Sequence, residues 1–539
     1  MNNTAHLRGT IFRHLDGLAT APVAVALQKT GILDYLQQQK QADLDELALQ
    51  FKANKGYLHV GLRVLCSQGF LNYHLDPVAQ KISFSLSDKS QLAFDHFYLY
   101  EDVVDLLKYS TQFHPRLFDE APFAKLQAIF EKYKRNYNLE ISQDSLTAEV
   151  QNQILKHVEG YLVAPTTVRL GMSGMFHKYF METSFRAEEF HKSPEMFDQI
   201  LQFLSYLGWF QHKNGNYQFT ETGLFFAKRA ASYGVTVSYL PTFAQIEELI
   251  FGNPSALRMQ PDGSDEIHVD REMNVWGSGG AHETYFKIVD EILIYLFNLP
   301  IEQQPKGILD MGCGNGAFIQ HIFEVIDRQT LRGKILDQHP LFLVGADYNQ
   351  AALKVTRANL IKADIWAKVI WGDIGRPDLL ASDLKENYNI DLGDLLNVRT
   401  FLDHNRIWEN PKNTTPNRIS LSTGAFAHRG ELISTRAVED NLLEHMQKWA
   451  PYVKRFGLLL IELHTIAPEF AAKNIGKTAA TAYDATHGFS DQYIVEIDVF
   501  NKVAAEAGLY PDYKVFKRFP DSDLATVSIN LLKGNQSPN

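Results

Sequence analysis

The sequence predicts an α/β protein in which a doubly wound, seven-stranded sheet follows a mainly helical N-terminal half made of two similar repeats. Three observations lead there. The stretch GILDMGCGNGAF, residues 307–318, reads as a buried strand, a glycine-rich turn and the start of a helix. From there to residue 532 short apolar runs alternate with helical patterns, as a sheet covered on both faces requires. Upstream, HLDGLATAPVAVALQKTG (residues 14–31) returns as HVEGYLVAPTTVRLGMSG (157–174) at an offset of 143.

Each N-terminal copy continues in the same way. LRVLCSQGFLNYH aligns with LQFLSYLGWFQHK, Gly69 matching Gly208 at an offset of 139, and strand-like text follows as KISFSLSD and NYQFTETG. Helices followed by a β-hairpin resemble a winged-helix module, which implies dimerisation or substrate enclosure. A DNA-reading role is disfavoured because the third helix of the second copy, SPEMFDQILQFLSYLGWF, is apolar and acidic rather than basic. The expected organisation is a first repeat over 1–87, a helical linker or lid over 88–150, a second repeat over 151–252 and the sheet domain over 253–539. Aromatic and Leu residues recur at helical spacing in the linker and are expected to be core. The polar stretch 253–271 marks a boundary. NVWGSGGAHETYFKIVDEILIYLF then reads as a loop plus an amphipathic helix, with Gly279 among small residues placed to approach a cofactor.

Composition sets outer limits. A chain of 539 residues suggests about two to four domains. With 45% hydrophobic and 21% charged residues it is an ordinary globular composition, which excludes disorder. No apolar run reaches the ~18 residues of a membrane span, and the N-terminus lacks a signal-peptide core. Only two cysteines, Cys66 and Cys313, exclude a disulfide framework and fit a reducing cytoplasm. A net charge of -11 argues against nucleic acid as the main partner.

The C-terminal strands are expected at 307–311, 341–347, 368–373, 394–401, 457–466, 512–519 and 526–532, the last pair forming an antiparallel return. In such sheets ligands bind beyond the carboxyl ends of the strands. Glycines after the first strand permit φ > 0 and close approach to a ligand, and the next helix offers free N–H groups. Asp310, Gly312, Gly314 and Asn315 are therefore candidate cradle residues. The second strand ends at Asp347-Tyr348, with the acid placed for ribose hydroxyls. The third ends at Gly372-Asp373-Ile374, where an adenine edge could be read. The fourth, DLLNVRTFLDHNR, brings Arg399, assigned to the cofactor, together with Asp403 and His404 to its tip. This spacing resembles class I S-adenosylmethionine (SAM)-dependent methyltransferases.

Two long excursions interrupt the pattern, 405–432 and 467–494, and loops of this length are commonly functional. The second contains GKTAATAYDATHGFSDQY, in which His487 precedes Gln492 by five residues. Two such ligands are too few for structural zinc. This run, with NVRTFLDHNRIW and LLLIELHTIAP, resembles the metal-dependent methyltransferase domains in loading modules of polyketide synthases of the apratoxin and saxitoxin type. The likeness runs over about 277–532. It implies C-methylation of a malonyl group on the phosphopantetheine of an acyl carrier protein, with SAM, a Mn or Fe ion ligated by His487 and Gln492, and a GNAT-like decarboxylase as a further partner. Such an ion would stabilise the enolate of a 1,3-dicarbonyl unit, and one imidazole in an oxygen-rich shell suits Mn or Fe. The general base stays open among His464, Asp403, Tyr483 and a metal-bound hydroxide. The competing reading is an O- or N-methyltransferase of a free small molecule, which needs a base and no metal. Nothing in the sequence chooses an oligomeric state.

Overall fold

Both copies of the repeat fold as helices followed by a β-hairpin in the computed structural model, which describes residues 2–110, 120–257 and 267–534. The first copy opens with α1 (Asn2–Lys29) and presents α2 (Lys55–Ser67) before the hairpin of 71–76 with 81–86, to which the earlier strand 41–43 adds at the 81–86 edge. The second opens with α3 (Ser145–Met172) and presents α4 (Pro194–Tyr206) before the hairpin of 210–213 with 216–219. That hairpin turns through Asn214 and Gly215, both at positive φ, the two-residue turn whose twist matches its strands.

The repeated His-x-x-Gly element is a packing device. A Cβ on Gly17 would lie 2.4 Å from the His157 Cα, and one on Gly160 would lie 2.5 Å from the His14 carbonyl oxygen. Each glycine thus lets one long helix seat on the backbone beside the other helix's histidine. His14 bonds Tyr233 at 2.8 Å and Glu159 at 2.9 Å through its two ring nitrogens, and His157 bonds Tyr100 at 2.7 Å through Nδ1, its Nε2 having no hydrogen-bond partner among the described residues. Because backbone is what Gly17 meets, nothing can swing aside. Gly17→Leu should therefore cost about 3 kcal/mol or more, read as a lower urea midpoint. An unchanged midpoint would mean that the helices can separate there at no cost.

Helix α2 is buried from Gly56 to Ser67, unlike a helix offered to a DNA groove. The aromatic stripes of the linker do enter the core, with Phe97, Tyr100, Phe130 and Tyr133 all buried. Residues 111–119 of that linker and 258–266 of the expected boundary lie outside the described residues.

The chain resolves into two compact units, 1–281 with 425–433 and 467–491, and 282–424 with 434–466 and 492–539. In place of the expected loop before the sheet, the chain forms one helix, α5 (Arg271–Phe297). Its small residues serve packing rather than turning: a Cβ on Gly277 would sit 2.6 Å from the Gly234 Cα, and Trp276 lies against Gly171. Both excursions contribute to the first unit, as the hairpin of 426–428 with 431–433 and as the segment 467–491.

The second unit holds the sheet. Its strands are β1 (Gly307–Met311), β2 (Phe342–Asp347), β3 (Lys368–Trp371), β4 (Leu395–Thr400), β5 (Leu458–Leu463), β6 (Tyr510–Pro511), β7 (Lys517–Phe519) and β8 (Val527–Lys533). The order is β6-β8-β5-β4-β1-β2-β3, with β7 also paired to β8; β1 to β5 run parallel and β8 antiparallel. Helices α6 (Ala317–Gln329), α7 (Gln350–Lys362) and α8 (Thr435–Val453) connect strands. The sheet has eight strands rather than seven because the expected strand 512–519 is broken: the Asp512 carbonyl accepts from Val515 and Phe516, which turns the chain between β6 and β7. Among the described residues no helix is long and apolar enough to cross a membrane.

Candidate active site

The glycine turn lies at the carboxyl end of β1, pinned to β2 by Gly312 N–H and Cys313 N–H donating to the Ala346 carbonyl at 2.7 and 3.1 Å. Gly312, Gly314 and Gly316 have φ of 82°, 55° and 79°, a path that ordinary side chains resist. Gly314 is exposed with nothing within 4 Å of a Cβ, so the turn is open on one side. Asn315 has a structural task, its side chain accepting from Ala317 N–H at 3.0 Å at the start of α6.

Asp310 is 2% exposed, and no donor among the described residues reaches its carboxylate. Burial, helped by the Asp347 charge, pushes it up to about 7. A buried acid without donors beside an open glycine turn fits a ligand that brings its own N–H groups, such as the ammonium of SAM. Asp347 is partly committed, one oxygen accepting from Gly314 N–H at 3.0 Å and the other from Asn349 N–H at 2.8 Å. Its remaining lone pairs are available to ribose hydroxyls. Asp347→Ala should weaken SAM binding by ~10–100-fold, since hydrogen bonds to a charged group are worth roughly 1.5–3 kcal/mol. Calorimetry showing parental affinity would remove Asp347 from the site.

At the tip of β3, Gly372 and Ile374 are buried, and Asp373 accepts from Gly375 N–H at 2.7 Å. Tyr348 and Trp371 stand exposed at neighbouring strand ends with ring centroids 5.7 Å apart. These two aromatic faces suit a flat heterocycle. Trp371 escaped the sequence reading, although its place directly before Gly372-Asp373 was the available signal.

The tips of β4 and β5 carry a buried charged network. Arg399 pairs with Asp403 and lies 3.9 Å from the Trp449 ring of α8. Burial alone would raise the Asp403 carboxyl, but Arg399, His445 and Arg406 overcome it and hold the group well below the usual carboxylate range. His445 reaches Asp403 at 2.8 Å, and Glu462 accepts from Asp403 N–H at 2.9 Å while pairing with His404. His464 donates through Nδ1 to the Val495 carbonyl (3.1 Å) and bonds Ser528 through Nε2 (2.8 Å); burial lowers it to about 4. The expected site residues Arg399, Asp403 and His464 are thus brought near the strand ends; His464 is bonded through both ring nitrogens, whereas Arg399 Nε and Nη2 and Asp403 Oδ2 are buried without hydrogen-bond partners among the described residues.

In the first unit, Tyr483 and His487 lie on α9 (Ala480–Gly488). His487 is 6% exposed, and its Nδ1 donates to the Tyr483 carbonyl at 2.7 Å, with the Thr486 hydroxyl 3.0 Å away. Burial raises the Tyr483 phenol, so it stays protonated. Gln492 is 8% exposed. Asp491, between them, accepts from the Tyr57 hydroxyl at 2.8 Å and Arg429 N–H at 2.9 Å. Among the described residues no three His, Cys, Asp or Glu side chains gather as a metal site. Gly279 lies within α5, exposed, with open space around it.

Comparison with known proteins gives three domain models in chain order. Residues 7–73 match the AprA N-terminal domain, 159–253 the AprA winged helix domain and 266–530 the AprA MT2-like domain. No curated protein shows a significant match. Among solved structures, the CurJ carbon methyltransferase is similar over 86% of this chain and 100% of its own, at 12% identity and a TM-score of 0.33. The DszA carbon methyltransferase is similar over 81% and 94%, at 11% identity and 0.33. CalO1, a methyltransferase in calicheamicin biosynthesis, is similar over 73% and 100%, at 14% identity and 0.38. The three consecutive domain models carry the assignment: this chain has a methyltransferase domain of the AprA MT2-like type behind N-terminal and winged helix domains of the AprA type.

Proposed function

We propose that the chain transfers the SAM methyl group to the α-carbon of a malonyl unit held on an acyl carrier protein, with a Mn or Fe ion bound by His487 and Gln492. The observation that carries this reading is the commitment of the acids and imidazoles at the β4 and β5 tips. Asp403 is held by Arg399 and His445, Glu462 by two backbone N–H groups and His404, and His464 by Val495 and Ser528. A hydroxyl or amine substrate needs a base of near-neutral pKa; Asp403 keeps one oxygen without a hydrogen-bond partner among the described residues but is held well below the usual carboxylate range, while Glu462 and His464 are bonded. Carbon alkylation instead needs an acidified C–H, and a bound ion would supply the Lewis acidity that lowers its pKa. His487 is prepared for such an ion by its bond to the Tyr483 carbonyl, which fixes ring and tautomer. Tyr483 itself, kept protonated by burial, is a hydrogen-bond donor rather than a base. Asp310, Gly314 and Asp347 hold the amino-acid and ribose parts of the methyl donor, while Tyr348 and Trp371 take its adenine. A GNAT-like decarboxylase acting on the same carrier is the partner that the resemblance to loading-module domains implies.

The test is elemental analysis of the purified protein followed by intact-mass measurement of malonyl-loaded carrier protein with SAM. Near-stoichiometric Mn or Fe and a gain of one or two methyl masses are expected. Full activity on a free hydroxyl or amine substrate in metal-free enzyme would replace this reading with an O- or N-methyltransferase.

A further inference from the structure

We infer that Arg63 is a positioning residue for the segment that carries His487, and that helix α2 of the first winged-helix copy has become the platform for that segment. This rests on the reading of His487 given above. In a winged-helix module the third helix is normally the exposed one, and here it is buried along its length. What covers one of its faces is segment 480–491. Arg63, 2% exposed, forms an ion pair with Asp484 on α9. At the C-cap of α2, Gln68 donates to the Thr481 hydroxyl at 2.8 Å. Toward the other end, the Tyr57 hydroxyl donates to Asp491 at 2.8 Å. Three polar contacts therefore hold α9 and its exit from residue 481 to residue 491, with His487 inside the span.

The helices also touch too closely for the contact to be incidental. A Cβ on Gly488 would lie 2.8 Å from the Val60 side chain, and one on Gly61 would be 3.9 Å from the Phe489 ring. The duplication supplies an internal control. At the offset that matches Gly69 with Gly208, Arg63 corresponds to Gln202. Gln202 is exposed and turned to its own module, bonding Asp198 of its helix at 2.6 Å and facing Tyr217 of the hairpin. One copy has a buried cation directed at α9, and the other has a surface amide.

An imidazole that ligates a metal works only if its ring is held in place, and loss of such outer support typically costs ~10–100-fold in metal affinity. The inference is tested in the full chain with Arg63→Met, which keeps length and removes charge, beside Arg63→Lys, which keeps the charge. Mn affinity is read from the spin-resonance signal of free Mn, SAM affinity by calorimetry, and kcat and KM with malonyl carrier protein. Arg63→Met should lose ~10–100-fold in Mn affinity and lower kcat, with SAM affinity and KM retained, and Arg63→Lys should recover most of the loss. If His487→Ala loses the metal while Arg63→Met binds Mn as the parent does, the positioning role is overturned and the metal reading stands. If both variants bind Mn as the parent does, the metal reading falls first. A parallel loss of SAM affinity in Arg63→Met, or no recovery with Arg63→Lys, would show a merely structural role and overturn the inference. Should Arg63→Met fail to fold, Asp484→Asn decides: parental Mn affinity overturns the inference, and a partial loss supports it.

Discussion

His487→Ala is expected to abolish both bound metal and methyl transfer while SAM affinity stays at the parental level. The imidazole is the stronger of two protein donors, since a neutral ring nitrogen binds first-row metals better than an amide oxygen does. With only Gln492 left, affinity should fall by more than ~100-fold, beyond what loss of an outer-shell group produces. Gln492→Ala should give a smaller loss. Gln492→Glu should hold the ion more tightly yet slow turnover, because added negative charge lowers the acidity the ion confers. Enzyme stripped with EDTA should recover with Mn or Fe and not with Mg, which dehydrates reluctantly. Metal analysis, calorimetry with SAM and intact-mass turnover read all three effects, and a stripped enzyme that works fully would sink the metal.

Arg399→Met should be the most destabilising single change in the second unit. Arg399 and Asp403 are both buried and paired, and removing one partner of such a pair typically costs ~3–5 kcal/mol because the other charge is left uncompensated. The pH dependence has a definite sign. The native Asp403 carboxyl is held below its unfolded value, so its contribution is fully present above an unfolded pKa of ~3.9 and is lost as pH falls toward the native value. The gap between parent and variant should be full at pH 7 and shrink below pH ~4. Urea unfolding of both proteins across that range measures it, and a gap that does not change with pH would mean that Asp403 is not the charge left behind.

What the sequence made legible was local. The glycine turn, the strand-end acids Asp347 and Asp373 and the His-x-x-Gly repeat are each written within a dozen residues, and β1, β2 and β4 appear within a residue or two of their expected ends. What escaped depends on distant partners. Gly277 looks like a loop residue until Gly234 is seen against it, and only then is an unbroken α5 the natural outcome. The sequence also gives no sign that His445 and Trp449 of α8 pack around the Arg399 guanidinium with Asp403. The two excursions read as insertions in the sheet domain, yet Ala427, Ala479, Ala482, Ala485 and Phe489 join the hydrophobic core of the first unit. Small apolar residues in a loop do not announce which core they will complete.

That shared core has a consequence for how the protein is made. A first unit built only from 1–281 could fold as it left the ribosome, but this one needs chain up to residue 491. At about 5–20 residues per second, the N-terminal half waits roughly 10–40 s after its own synthesis for the segment that finishes it. During that interval the surfaces destined for Ala479 and Phe489, including the face of α2, are uncovered and open to chaperones or to a neighbouring nascent chain. Cutting the gene at residue 281 would make the wait permanent, and the released half should be a chaperone client rather than a free domain.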